Sequence, residues 1–169
     1  MCVERLRDDF YGGLGPSAAV VHVPTPDLRI PGNVPGDEAP IMFRRGSLYY
    51  LLMGSGCCDC KGGGTTWVYI APAPLGPWKL QGLQNIGYAA DGSPVTKAQQ
   101  RDVLRVDAPP GSGAEPTFLW VGNNFIPGEG GAGTCTNGGL LYWWPLRFHT
   151  NGSIAQMAWN DSVSFPLPS

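Results

Sequence analysis

Glycine and proline interrupt this chain so often that no apolar pattern with a period near 3.6 residues runs for the length of a helix. The 25 glycines and 17 prolines amount to almost a quarter of the 169 residues. They follow no collagen-like period and separate short apolar runs, so they read as turns between strands. The predicted fold class is therefore all-β. Predicted strands are Pro40–Phe43, Ser47–Met53, Thr66–Ala71, Trp78–Leu80, Asp102–Val106, Thr117–Val121, Leu140–Trp144, Leu146–Phe148 and Ile154–Trp159. Glycine-rich loops cover 54–64 and the stretch up to 139, and 84–98 is polar and turn-rich. HTNGS at 149–153 predicts a tight turn, and the tail SVSFPLPS a last edge strand or a clasp.

Apolar residues make up 43% of the chain and charged ones 14%, enough for one domain with a real core. A net charge of −2 with no basic patch offers nothing to nucleic acid. The apolar runs are far too short to cross a membrane. Met1 opens directly onto CVERLRDDFYGG, with no charged segment leading into an apolar one, so this chain shows no secretory signal. Five cysteines are present: Cys2 stands apart from Cys57, Cys58, Cys60 and Cys135. CCDC lacks the two- to four-residue gaps usual between paired zinc ligands, so no metal site is expected and no cofactor either. A disulfide with Cys135 as one partner, or a reduced loop, are the remaining readings. Two sequons, at Asn151 and Asn160, permit glycosylation. His22 and His149 are isolated and read as structural, and Arg44 and Arg45 as solvated turn residues.

A coarse repeat organises the strands. SLYYLLMG and TFLWVGN are aromatic-rich runs ending at or near glycine, each followed by a glycine-rich loop that carries cysteine. TTWVYIAP follows one loop and LLYWWPLRF the other. Two copies of a meander suggest blades of a β-propeller, whose innermost strands line a central channel. Glu38 then stands just before the innermost strand of one blade, and Gln99 and Gln100 just before that of the next, with Glu38 and Gln99 61 residues apart. Two polar side chains from adjacent blades would meet over one pocket. Pro40 confines the residue before it to extended geometry, which helps to direct the Glu38 peptide.

EAPIMFRRGSLYYLLMGSG followed by PLGPW resembles the acid-bearing blade of family 43 glycoside hydrolases, and AQQ, FLWVG and LLYWWPLRFHTNGSI resemble later blades of the branch that contains exo-β-1,3-galactanases and galactan β-1,3-galactosidases. The resemblance runs from about Arg5 to the C-terminus. It implies a five-bladed β-propeller of which this chain is the later portion, a single partial domain over 1–169 of about three blades. Residues 36–82 would form the acid-bearing blade and 98–160 the later ones. It also implies hydrolysis of O-glycosyl bonds in a galactan or arabinan type polysaccharide, and a full-length protein that is secreted, its signal and first blades lying upstream.

The resemblance assigns Glu38 as general acid, protonating the departing glycosidic oxygen, in a setting where Ile41, Tyr49 and nearby aromatics would raise its pKa. The family's base and its tuning aspartate would lie upstream, roughly 6.5–9.5 Å from the acid across the substrate for an inverting reaction. In the galactanase branch a glutamine stands in for the base, and Gln99 matches that position best, with Gln100 beside it. Tyr50, Trp67, Trp120, Trp143 and Trp144 are candidate platforms for sugar rings, and the same side chains serve equally as core. Gly122-Asn123-Asn124-Phe125 stands where the resemblance leads to Gly-Asp-Arg-Trp, which makes Asn123 a further substrate-binding candidate. Asp102 replaces an aromatic, and CCDC replaces a Cys-Thr-Gly-Trp-like stretch. The competing reading is a propeller fragment that binds carbohydrate without cleaving it. A cysteine-based metal module is a third.

Overall fold

Arg45-Gly46-Ser47-Leu48 closes the first long hairpin. Gly46 takes φ +59°, a left-handed value that an L side chain resists, and Arg44 Nε donates to its carbonyl at 2.9 Å. The computed structural model describes residues 2–15, 18–19, 38–54, 66–81, 86, 95–96, 98–124 and 140–165. Among them there is no helix, only antiparallel strands: β1 (Cys2–Val3), β2 (Ala18–Ala19), β3 (Glu38–Arg45), β4 (Leu48–Gly54), β5 (Trp67–Ala71), β6 (Lys79–Leu80), β7 (Gln99–Val106), β8 (Thr117–Asn124) and β9 (Leu140–Pro145). They form a two-stranded sheet β1-β2, a four-stranded meander β3-β4-β5-β6 and a three-stranded meander β7-β8-β9. The CCDC loop, Cys135 and His22 lie outside the described residues. Cys2 is exposed and free.

Alternation along the strands sorts the side chains onto two faces of each meander. Ile41, Phe43, Tyr50, Leu52, Val68 and Ile70 share one face of the four-stranded sheet and meet Val103, Phe118, Trp120, Tyr142 and Trp144 from the three-stranded one in a single core. Phe43 stacks on Tyr50 with centroids 5.0 Å apart and touches Phe118 at 5.1 Å. The other face of the four-stranded sheet carries Leu51, Met53, Trp67 and Tyr69, which pack with Val3, Trp78 and Leu80. Each face thus belongs to a different layer, as in stacked blades.

Two of the expected strands are not strands. Leu146–Phe148 and Ile154–Trp159 contribute only the isolated bridge Phe148↔Ile154 around the HTNGS turn. Their backbone groups are shared among several neighbours instead of one. Leu146 N–H donates to Phe118 O, Ala155 N–H to Arg147 O and Met157 N–H to Ile86 O. The Gln81 amide donates to Ile154 O at 2.7 Å and accepts from Ile154 N–H at 2.6 Å. The segment is a strap across both meanders, and Phe148 sits edge-on to Tyr50 and to Phe118. Arg45, expected in solvent, is half-buried with its guanidinium carbon 4.4 Å from the centre of the Phe148 ring.

Tyr50 ties this strap to the first meander: its hydroxyl donates to Gly152 O at 2.7 Å in the buried core. Tyr50→Phe leaves that carbonyl unpaired and is expected to cost about 1–2 kcal/mol at pH 7. Burial raises the Tyr50 pKa, with Arg45 partly opposing it, and burial raises Tyr142 as well. The folded chain therefore holds these protons while the unfolded chain ionises near pH 10. Stability should be flat with respect to both groups below about pH 10 and fall above it, and Tyr50→Phe should lessen that fall. Urea denaturation of both proteins at pH 7 and at strongly alkaline pH measures the two effects.

Candidate functional site

β3 and β7 are the first strands of their meanders and lie side by side. Both begin irregularly. In β3 the register runs from Glu38↔Gly54 to Ile41↔Leu52, so Ala39 and Pro40 bulge out opposite Met53. In β7 it passes from Gln100↔Gly122 to Asp102↔Val121, leaving Arg101 as the extra residue. Ala39 is not in the extended geometry expected before Pro40: it sits at φ +47°, a left-handed conformation that costs a residue with a Cβ about 1–2 kcal/mol. The Gln100 amide crosses from β7 to this bulge, Nε2 donating to Ala39 O at 2.6 Å. A strained backbone at the start of the innermost strand, held from the neighbouring sheet, is the kind of feature that functional sites retain. Glu38 is part of it through its backbone.

Consecutive strand residues face opposite ways, so Gln99 and Gln100 do different things. Gln100 is 3% exposed and faces the core between the meanders. Gln99 stands opposite Asn123 on the other face, where Asn123 is in turn opposite Leu141. Trp143, opposite Val121, shares that face and is 37% exposed. Gln99 and Asn123 are therefore direct neighbours, with Cβ atoms roughly 5 Å apart, and Trp143 lies further along the same face, diagonal to Asn123 on β9. In a stack of blades, equivalent faces point the same way round the ring. Phe118 and Trp120 face the four-stranded sheet, whereas Leu51 and Met53 face away from the three-stranded one. This parity makes Gln99 the register counterpart of Glu38, the one opposite Asn123 and the other opposite Gly54.

The other aromatic candidates are corrected by burial. Tyr50 and Trp120 are 0% exposed and Trp67 6%, so no sugar ring can lie on them. Trp144 is buried as well. Trp120 shows why: a Cβ built on Gly122 would overlap the outer edge of its six-membered ring and come 2.8 Å from Ala98 Cβ, so the indole occupies the space that a side chain at 122 would need. Tyr49 does not surround Glu38 either. It pairs with Arg44 at the hairpin end of β3, six residues or about 20 Å along the strand. Ile41 belongs to the core between the meanders. Elsewhere, Gln81, Ile86, His149, Asn151, Ser153, Ile154 and Gln156 line a cavity of about 250 Å³ that contains none of the candidates.

No protein-family model and no curated protein sequence matches the chain. Solved structures do. A family 43 β-1,3-galactosidase holding galactodeoxynojirimycin matches at 22% identity and a TM-score of 0.52, over 76% of this chain and 32% of its own. An exo-β-1,3-galactanase from Clostridium thermocellum matches at 21% and 0.52, over 70% of this chain and 23% of its own. A thermostable family-43 glycoside hydrolase matches at 15% and 0.61, over 98% of this chain and 49% of its own. At these identities the likeness is one of fold. The chain has the fold of part of a family 43 glycoside hydrolase β-propeller, and it spans between 23% and 49% of the length of these three structures.

The burial difference among the tryptophans gives a direct check. Trp120→Ala is expected to lose about 3–5 kcal/mol, and Trp143→Ala much less, in denaturant unfolding of the two variants. Equal losses would mean that Trp143 is as much core as Trp120.

Proposed function

We propose that this chain carries the general acid of a glycoside hydrolase that cleaves O-glycosyl bonds of a galactan or arabinan type polysaccharide, with β-1,3-galactan the first substrate to try. The observation that carries the reading is the bulged, left-handed start of β3 next to Glu38, bound to the start of β7 by Gln100. On a propeller with the family 43 fold, that is the mouth of the channel between two adjacent blades. Glu38 would give its proton to the glycosidic oxygen as the bond from that oxygen to the anomeric carbon breaks. A water molecule would add to the opposite face of the sugar. Gln99 is suited to orient that water, because its amide both donates and accepts hydrogen bonds. It does not take up a proton at neutral pH, so the acceptor of the water's proton would be a carboxylate from the portion of the propeller that the matched structures have and this chain does not span. Asn123 would bond sugar hydroxyls, and Trp143 would lie under a pyranose face. The full-length protein would do this outside the cell.

A binding module without chemistry is the second reading. The part-exposed pair Trp143 and Leu141, on the face of the three-stranded sheet that carries Asn123, favours it. One experiment separates the two. Hydrolysis of β-1,3-galactan by the full-length protein is expected to fall by about 10²–10⁴ in Glu38→Gln, with the variant still folded by circular dichroism. Folded full-length wild-type protein that binds the polysaccharide without releasing galactose would support the second reading. Undiminished hydrolysis by Glu38→Gln would remove Glu38 from the chemistry.

A further inference from the structure

We propose that Gln100 is a positioning residue for the acid: its buried side-chain amide fixes the bulge at the start of β3 and so sets where Glu38 leaves the strand. The inference rests on the reading of Glu38 as general acid. The four-stranded sheet's own ladder pairs the residues on either side of this bulge. The β3–β4 register passes from Glu38 to Ile41 without a cross-strand partner for Ala39 or Pro40, and proline has no N–H to give. The Ala39 carbonyl is instead gripped from the adjacent meander by Gln100 Nε2 at 2.6 Å. The amide's orientation follows from chemistry, because exchanging its oxygen and nitrogen would press two acceptors together at that distance. Among the described residues the Gln100 Oε1 has no partner although the side chain is 3% exposed. A buried amide that uses only its donor is kept for what the donor holds.

The platform beneath Gln100 is stiff. Gly122 lies directly opposite it, and the Trp120 indole fills the space over Gly122 and against Ala98. Both the length and the chemistry of the side chain are needed for this contact. Leucine has the bulk and no donor, asparagine is one methylene short, and glutamate presents an acceptor to a carbonyl unless it is protonated. Gln99 lies on the opposite face of β7, across from Asn123, so the two adjacent glutamines serve different faces of the same strand.

The test uses the full-length protein with Gln100→Leu and the isosteric Gln100→Glu. Hydrogen exchange reads the bulge itself. Backbone amides of Ala39, Ile41 and Met42 should exchange about tenfold faster in both variants, with β8 and β9 unchanged. Unchanged exchange at these amides, or an increase spread evenly over all strands, overturns the proposal. Kinetics then read the acid. On phenyl β-galactoside, whose leaving group needs a proton, kcat should fall about tenfold or more while KM stays within about twofold. On 2,4-dinitrophenyl β-galactoside, which departs without one, kcat should fall less than about threefold. Gln100→Glu should regain activity on the phenyl substrate as the pH is lowered and its carboxylic acid begins to donate to Ala39 O. Equal losses on both substrates would also overturn the proposal. The Glu38 reading fails separately. If Glu38→Gln loses both substrates equally, or the full-length wild-type protein cleaves neither, Glu38 is not the acid, and the exchange arm still decides whether Gln100 holds the bulge.

Discussion

Burial of one aromatic face between the two meanders is the constraint on which the rest of the fold depends. Phe43 and Tyr50 from the first meander, Phe118 from the second and Phe148 from the strap meet within 5.0–5.8 Å in stacked, tilted and edge-on pairs. Each such ring removed from water contributes about 1.5–3 kcal/mol, and none of these segments could bury its rings alone. Once those faces are joined, β3 and β7 are neighbours, and the distance from their irregular first residues to each other is no longer adjustable.

Polar detail is then placed by that packing. The Tyr50 hydroxyl reaches Gly152 O, the Tyr142 hydroxyl donates to Ala158 O and accepts from Asn160 N–H, and the Gln81 amide clamps Ile154. Each bond joins residues on different segments and would be worth little without the apolar contact beside it. The Gln100 bond to Ala39 belongs to the same class, with one difference: it holds a backbone conformation that carries strain. The strained residue adjoins the one carboxylate that the sequence pattern had singled out.

Much of the framework was legible beforehand because its signals are local. Alternation and turn residues marked seven of the strands to within a few positions, and HTNGS marked a turn that exists, whereas Arg44 and Arg45, read as turn residues, end β3. Strand beginnings were read too late, at Pro40 and Asp102 instead of Glu38 and Gln99. A bulge breaks the alternation on which such a reading relies. The aromatic platforms were mostly misread for a similar reason. Tyr50, Trp67 and Trp120 differ from Trp143 in burial, and a strand's pattern does not say which of its two faces will be covered. The role of Gln100 left no local trace at all, since its partner lies 61 residues away.

By itself the sequence determined that the chain is all-β, that its strands run as repeated aromatic meanders, and that an acid and a pair of glutamines stand where two successive meanders begin. Those are matters of period, composition and spacing, which residues a few positions apart settle among themselves. Only the tertiary structure decided which glutamine faces the core, which tryptophans are buried, that the C-terminal segment is a strap, and that Ala39 is held left-handed by a neighbouring sheet. Those depend on which faces are pressed together, and that is decided by the apolar area of the whole chain at once.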